Sequence, residues 1–337
     1  MSSEPLVSVR GLTKHFVDSG GLLGSPTTTY ALNDVSLDIR EGEVVGVVGE
    51  SGCGKSTLGN TLLQLIEPTS GEVYFDGEET TAMDGKELRR LRKDTQIIFQ
   101  DASSALNPRH KIQRIVDEPL REHTSMSREE RRDRVAQLLE DVDLKAEHAD
   151  RYPHEFSGGQ QQRISIARAL ALNPRFIVAD EPMSALDLST KAQLIQLLDR
   201  LQEEYDLTYL LITHDMNTVQ QITDRTLVMY LGEVIERGPT DRVFQEPKHP
   251  YTEALVSAIP TPGRRRSERI VLEGDVPDPQ DPPSGCPFHT RCHRYIGDVC
   301  EEEKPELTGV DGQELACHLY DEDKPGDPIE HGHEQVQ

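Results

Sequence analysis

Basic residues are scarce in this chain: 36 lysines and arginines stand against 60 aspartates and glutamates, a formal charge of -24. Such a surface works against nucleic-acid or anionic-lipid binding through bulk electrostatics. It also repels itself, and the balance is that of a protein working in concentrated salt, where repulsion is screened to a few ångströms. A halophilic source is therefore expected. Equally lacking is any apolar run near the roughly 20 residues of a membrane-spanning helix. Candidates such as VVGVVG are strand-sized, so any membrane role is expected to be peripheral. The N-terminal MSSEPLVSVRG has neither a basic n-region nor an apolar h-region, which argues against secretion and for a cytoplasmic location. Cysteine is sparse too. Of five, Cys53 is alone, whereas Cys286, Cys292, Cys300 and Cys317 gather near the end. In a reducing compartment such a group points to metal before disulfide.

What is present alternates strand and helix. LVSVRGLTKHF (6–16) and YALNDVSLDIR (30–40) carry short alternating patterns, joined by the glycine- and proline-bearing DSGGLLGSPTTT, and predict an antiparallel sheet. EVVGVVG is a continuous apolar run of buried-strand type, followed by a glycine-rich turn and the helical STLGNTLLQLI. From about Asp84 to Ala149 the chain is charged and helix-prone, and reads as an inserted, solvent-facing subdomain. Phe176–Ala179 and TYLLITHD add two more buried strands with helical sequence between them. The fold class is thus α/β, with a mostly parallel sheet core, an antiparallel β subdomain and an inserted helical subdomain at about 101–170. Proline density rises through EPKHP, IPTPG and DVPDPQDPPSG, separating residues 1–245 from a loop-rich cysteine-containing extension at 246–320. The polar tail at 321–337 is expected to be disordered.

Gly49–Thr57 reads GESGCGKST, a complete phosphate-binding loop between a predicted strand and a predicted helix. Its members Gly49, Glu50, Ser51, Gly52, Cys53, Gly54, Lys55, Ser56 and Thr57 are the expected cradle. The glycines let backbone N–H groups turn toward ATP phosphates, and the helix adds its positive end. Lys55 supplies a point charge, Ser56 a hydroxyl for Mg²⁺, and Cys53 a filler. FIVADEP is an apolar strand ending in Asp180, placed to bind Mg²⁺ through water, and Glu181, placed to polarise an attacking water. Two carboxylates ending a buried strand are costly without a cation. His214, ending LLITHD, can reach the γ-phosphate and that water. Gln100, closing QIIFQ, is long enough for Mg²⁺ or water. A second glycine cluster follows in FSGGQQQR. Ser157, Gly158 and Gly159 precede the helical QQQRISIARAL, so they cap another anion-binding helix end. With one ATP already cradled by Gly49–Thr57, that second end is expected to serve a partner's nucleotide.

In this order the set GESGCGKST, Gln100, FSGGQ, FIVADEP, SALD and the histidine of ITHD resembles the ATP-binding subunits of ABC transporters over roughly the first 245 residues. The resemblance implies an ABC-type P-loop ATPase and a head-to-tail dimer. Two ATP molecules would each lie between one subunit's phosphate loop and the other's signature loop. It further implies Glu181 as catalytic base, His214 as switch histidine, Gln160 within the signature and Asp187 as the loop aspartate that crosses the dimer. Phe16 is similar to the aromatic that stacks on adenine, with Tyr30 as a competing candidate. Phe156 stands where many relatives carry leucine, which keeps the position apolar.

HPYTEALVSAIPTP, GCPFHTRC and a final ACH resemble the C-terminal extension of oligopeptide, dipeptide and nickel importer ATPases. LNPR, SALDLS and VMYLGEVIERG look more like the second ATPase of such systems. The implied partners are a paralogous ATPase, two membrane permeases and an extracellular solute-binding protein. The helical subdomain would receive a permease helix on an apolar groove. Cys286, Cys292, Cys300 and Cys317 lack the CxxC pairs usual for structural zinc and suit a [4Fe-4S] cluster as well as zinc, with His289, His293 and His318 nearby. The resemblance points to iron–sulfur. The rival reading is a soluble ABC-type ATPase of nucleic-acid repair or translation. It lacks its usual marks, a long inserted coiled coil or tandem cassettes.

Overall fold

The computed structural model describes residues 4–20, 26–184, 186–260 and 269–321. The expected disorder of the tail after 321, part of the 18–29 loop, Ala185 of SALD and most of the 260–268 linker lie outside the described residues.

Alternation builds the first layer. In β1 (Val7–Asp18) and β2 (Thr27–Ile39), Val7, Val9 and Leu12 meet Leu32, Val35, Leu37 and Ile39 on one buried face. The strands run antiparallel, with Val7 opposite Ile39 and Asp18 opposite Thr27. The chain then leaves through β3 (Val44–Val48), buried at all five positions as a continuous apolar run requires, and through α1 (Lys55–Leu62). It returns in β4 (Ser70–Phe75) and β5 (Glu78–Glu79) to complete a four-stranded antiparallel sheet in the order β2-β1-β4-β5.

The helix-prone stretch begins with α2 (Gly85–Asp94), started by a reciprocal Asp84–Glu87 capping box, and then carries the expected short strand β6 (Thr95–Ile98). Four helices follow: α3 (Ala102–Ala105), α4 (Ile112–His123), α5 (Arg128–Asp141) and α6 (Gly158–Ala169). They form one layer around Ile115, Val116, Leu120, Val135, Leu138, Leu139 and Ile164. The remaining core elements are β7 (Phe176–Asp180), α7 (Leu188–Tyr205), β8 (Thr208–Ile212), α8 (Met216–Ile222), β9 (Arg225–Tyr230), β10 (Glu233–Pro239) and α9 (Thr240–Gln245).

After residue 245 come α10 (Pro250–Ser257), α11 (Val299–Glu302), β11 (Thr308–Val310) and β12 (Gln313–Leu315). The loop-rich expectation holds for most of this stretch, but β12 pairs with β10, Glu236 opposite Leu315 and Arg237 opposite Glu314. The large sheet therefore runs β11-β12-β10-β9-β3-β8-β7-β6. Its five strands from β9 to β6 are parallel, and the extension supplies its antiparallel edge. Parallel strands bring the carboxyl ends of β3, β7 and β8 to one rim, where ligands of open α/β sheets bind.

Candidate active site

The loop after β3 leaves the sheet at Gly49, whose φ is 154° and where a Cβ would lie 2.3 Å from the Met229 carbonyl oxygen. Only glycine fits that close approach. The loop ends at Gly54, φ 102°, which starts α1 without a side-chain cap and so leaves its first amides free for an anion. Inside the turn the Lys55 ammonium donates to the carbonyls of Gly49 and Glu50, both at 2.8 Å. Cys53 is buried, and burial raises its thiol pKa, which keeps it protonated. That suits a filler.

β7 delivers the acidic partner. Ser56 Oγ donates to Asp180 Oδ1 at 2.9 Å, so the two expected Mg²⁺ ligands are side by side although 124 residues apart. Burial raises the Asp180 carboxyl above the usual range, and the adjacent Glu181 charge pushes the same way. A cation beside it would reverse that cost. Glu181 takes a positive φ of 44°, rare for a residue with a Cβ, and its N–H donates to the Ile212 carbonyl at 2.8 Å. The kink turns its carboxylate out of the strand. There Gln100 Nε2 donates to Oε2 at 3.2 Å, and His214 Nδ1 lies 3.1 Å from the same oxygen. Three residues singled out separately in the sequence thus meet at one carboxylate.

The other expected residues occupy a different part of the surface. Ser157 caps α6, accepting the Gln160 N–H at 3.4 Å while its own N–H donates to Gln160 Oε1 at 3.0 Å. Gly158 opens the helix, and Gly159 packs on α7, where a Cβ would lie 2.4 Å from Thr190 Cγ2. Phe156 is buried against the His148 ring. Asp187 caps α7, accepting from the Ser189 and Thr190 amides and hydroxyls. The two hydroxyls and these amides hold its carboxyl well below the usual range. Its carboxylate is thus engaged within its own chain. Phe16 on β1 is 43% exposed with the Lys14 ammonium 5.0 Å from its ring centroid. Tyr30 on β2 instead meets the His15 ring edge-on, and its N–H donates to Pro279 of the extension.

Two features escaped the sequence reading. Lys191 and Asp215 pair at 2.8 Å and tie α7 to the turn carrying His214. Glu50 is gripped by Tyr251 and Arg291 of the extension. No local pattern marks either, because each joins residues from distant stretches.

The ABC transporter family profile matches residues 32–184, and that of the oligopeptide/dipeptide transporter C-terminal region matches residues 235–300. The chain is 45% identical over 323 residues to the dipeptide transport ATP-binding protein DppF of Escherichia coli (strain K12), covering 95% of this chain and 96% of that one. The chain belongs to the ABC transporter family. It is also 45% identical to the oligopeptide transport ATP-binding protein AppF of Bacillus subtilis (strain 168), covering 95% and 98% of the two chains. Among solved structures it resembles the dimeric post-hydrolysis ATP-binding cassette MJ0796 bound to ADP and Pi. That match has 39% identity and a TM-score of 0.62, and covers 69% of this chain and 98% of the cassette. This ABC chain is accordingly an ATP-binding ATPase with the fold expected of it.

The cysteines of the ABC chain's extension are all free thiols. Burial pushes Cys286, Cys292 and Cys317 up to about 12 and raises Cys300 as well. Among the described residues, however, no three of His, Cys, Asp or Glu are grouped so as to hold one metal ion. The expected zinc or iron–sulfur site is therefore not drawn together as a closed ligand set. His289 and His318 turn instead to backbone carbonyls, and His293 faces Glu253.

Proposed function

We propose that this ATPase powers peptide import across the cytoplasmic membrane from the membrane's inner face. The observation that carries the reading is the 45% identity, over 95% of the chain, to ATP-binding proteins named for dipeptide and oligopeptide transport. None of those named relatives belongs to nucleic-acid repair or translation. No described helix is long and apolar enough to cross a membrane. A groove of about 370 Å³, lined by Leu63, Leu65, Ile97 and Leu172 beside the charged Arg92 and Glu118, supports docking of an amphipathic permease helix between the core and the helical layer. The proposed assembly is two permeases, an extracellular solute-binding protein and a paralogous ATPase.

In this reading Gly49–Thr57 holds the phosphates of the chain's own ATP, and Phe16, the more exposed of the two aromatics, stacks on adenine. Ser56 and Asp180, with Gln100, would hold Mg²⁺, which when bound neutralises phosphate charge. Glu181 polarises the attacking water, and its fixed hydrogen bond from Gln100 orients the carboxylate. His214 holds water and γ-phosphate in register. Ser157, Gly158, Gly159 and Gln160 close the partner's site, with Asp187 at that junction. ATP binding draws the two halves together, and hydrolysis lets them part.

The four cysteines are proposed to hold a [4Fe-4S] cluster, with zinc as the alternative. What supports the reading is the chemistry of the residues: four free cysteines in one extension, Cys286, Cys292 and Cys300 buried and Cys317 partly so, which are the ligand type either group takes. Stoichiometric zinc in colourless, anaerobically purified protein would reject the iron reading. The import function is tested by reconstituting the chain with its co-purifying permeases in vesicles. ATP-dependent accumulation of labelled dipeptide supports it, and purification with no membrane partner overturns it.

A further inference from the structure

Glu50 is held from two sides by residues that follow position 245. Its N–H donates to Tyr251 Oη at 2.9 Å. Its carboxylate accepts both terminal nitrogens of Arg291, Nη1 to Oε2 at 2.6 Å and Nη2 to Oε1 at 3.1 Å. This is a bidentate fork, which a point charge such as lysine cannot reproduce. The Arg291 side chain is only 6% exposed, so solvent and salt screen the pair far less than a surface bridge.

The clamp is itself well anchored. Arg291 Nη1 also donates to Tyr230 Oη at 3.3 Å. Tyr230, Tyr251 and Phe288 are fully buried and pack edge to face. The start of α10 is fastened to β10 because the buried Glu236 carboxylate accepts the amides of Lys248 and His249. His249 Nδ1 in turn accepts the Tyr251 N–H and caps the helix. The aromatic floor under Arg291 therefore cannot shift without disturbing the sheet.

The other end of Glu50 points into the phosphate loop. Its carbonyl accepts the Lys55 ammonium. Two hydrogen-bonded steps thus join Arg291 to Lys55, through the side chain and then the carbonyl of Glu50. The buried Nε of Arg291 has no partner, which leaves a desolvated polar group uncompensated. A pair of apolar side chains in place of both Arg291 and Glu50 would serve stability alone at least as well.

We propose that Arg291 is a positioning residue for the nucleotide. It fixes Glu50, and through Glu50 the Lys55 ammonium, so that the C-terminal extension sets the ATP affinity of the chain's own half-site. The proposal rests on the reading of Gly49–Thr57 as the phosphate loop.

The test is titration of the full chain with a fluorescent N-methylanthraniloyl ATP and, separately, with adenosine. Arg291→Met is expected to weaken ATP binding about tenfold while leaving adenosine binding within about twofold, because only phosphate contacts are displaced. Arg291→Lys is expected to fall between the two, and its milder change keeps the test open if the methionine variant does not fold. Glu50→Gln combined with Arg291→Met should be no weaker than the worse single variant. Unchanged ATP binding by both Arg291 variants, or losses that multiply in the double variant, overturns the proposal. Lys55→Ala separates the two claims. Normal ATP binding by that variant sinks the phosphate-loop reading itself, whereas normal binding by the Arg291 variants alone sinks only the clamp.

Discussion

Two helix N-termini in this molecule look alike in sequence and are built in opposite ways. The end at α1 starts on an uncapped glycine and lies at the rim of the parallel sheet. It is braced by Asp180 below and by Arg291 and Tyr251 beside it. The end at α6 is capped by its own Ser157–Gln160 box, is exposed, and sits in the helical layer away from that bracing. The first is prepared to grip an anion with groups from its own chain. The second offers small residues and a partly satisfied helix end, with no lysine and no carboxylate pair. The difference teaches that helix ends alike in sequence can be furnished unequally, one faced by a lysine and a carboxylate of its own chain and the other bare, as the proposed use of the second by a partner's nucleotide requires.

The largest effect is expected at the furnished end. Glu181→Gln should lower hydrolysis by about 10²–10⁴-fold while leaving ATP affinity within about twofold, since the amide keeps size and polarity but not basicity. Phosphate release by the assembled complex measures the first and nucleotide titration the second; undiminished turnover removes Glu181 from the role. Next comes the bare end. Ser157→Arg should cut turnover of the assembled complex by at least about tenfold while the isolated chain binds ATP normally, because in the proposed dimer the added charge would sit in the neighbour's pocket. Equal loss in the isolated chain would erase the contrast between the two ends.

A change acting on the whole surface follows. With a formal charge of -24, raising salt from about 0.1 M to about 1 M shortens the Debye length from about 10 to about 3 Å. The thermal midpoint should rise by several degrees, and full structure with no gain would end the halophilic reading. Smallest is the apo effect of Asp180→Asn. Burial raises this carboxyl's pKa in the fold, so the folded state holds the proton more tightly and ionisation costs stability as pH rises through the folded value. At neutral pH the asparagine variant without nucleotide should melt about 2 °C higher. It should lose the stabilisation that Mg-ATP gives the unsubstituted chain. A lower apo midpoint would contradict this.

Much of the furnished site was legible because its residues announce themselves locally. A buried apolar run followed by GESGCGKST specifies strand, turn and helix in one stretch, and FIVAD ending in two acids specifies a strand end. What stayed hidden depended on pairing across the chain. QEL (313–315) is too short and polar to read as a strand, yet it pairs with β10 because Leu315 is fully buried beneath it. Arg291 lies in a proline-rich, loop-like region with no periodicity, and its partner is 241 residues away. Asp187 was legible as a loop aspartate but not as a helix cap, since that use depends on the chain turning so that Ser189 and Thr190 face back toward it.

By itself the sequence determined which charged and polar groups stand at the strand and helix ends, because phosphate, magnesium and water each demand a particular side-chain chemistry there and GESGCGKST and FIVADEP carry it in unbroken stretches. Only the tertiary structure decided which of them touch. Gln100, Glu181 and His214 converge, Ser56 meets Asp180, and the extension reaches back to Glu50, because parallel strands align their carboxyl ends and a fully packed core leaves each end one place to go.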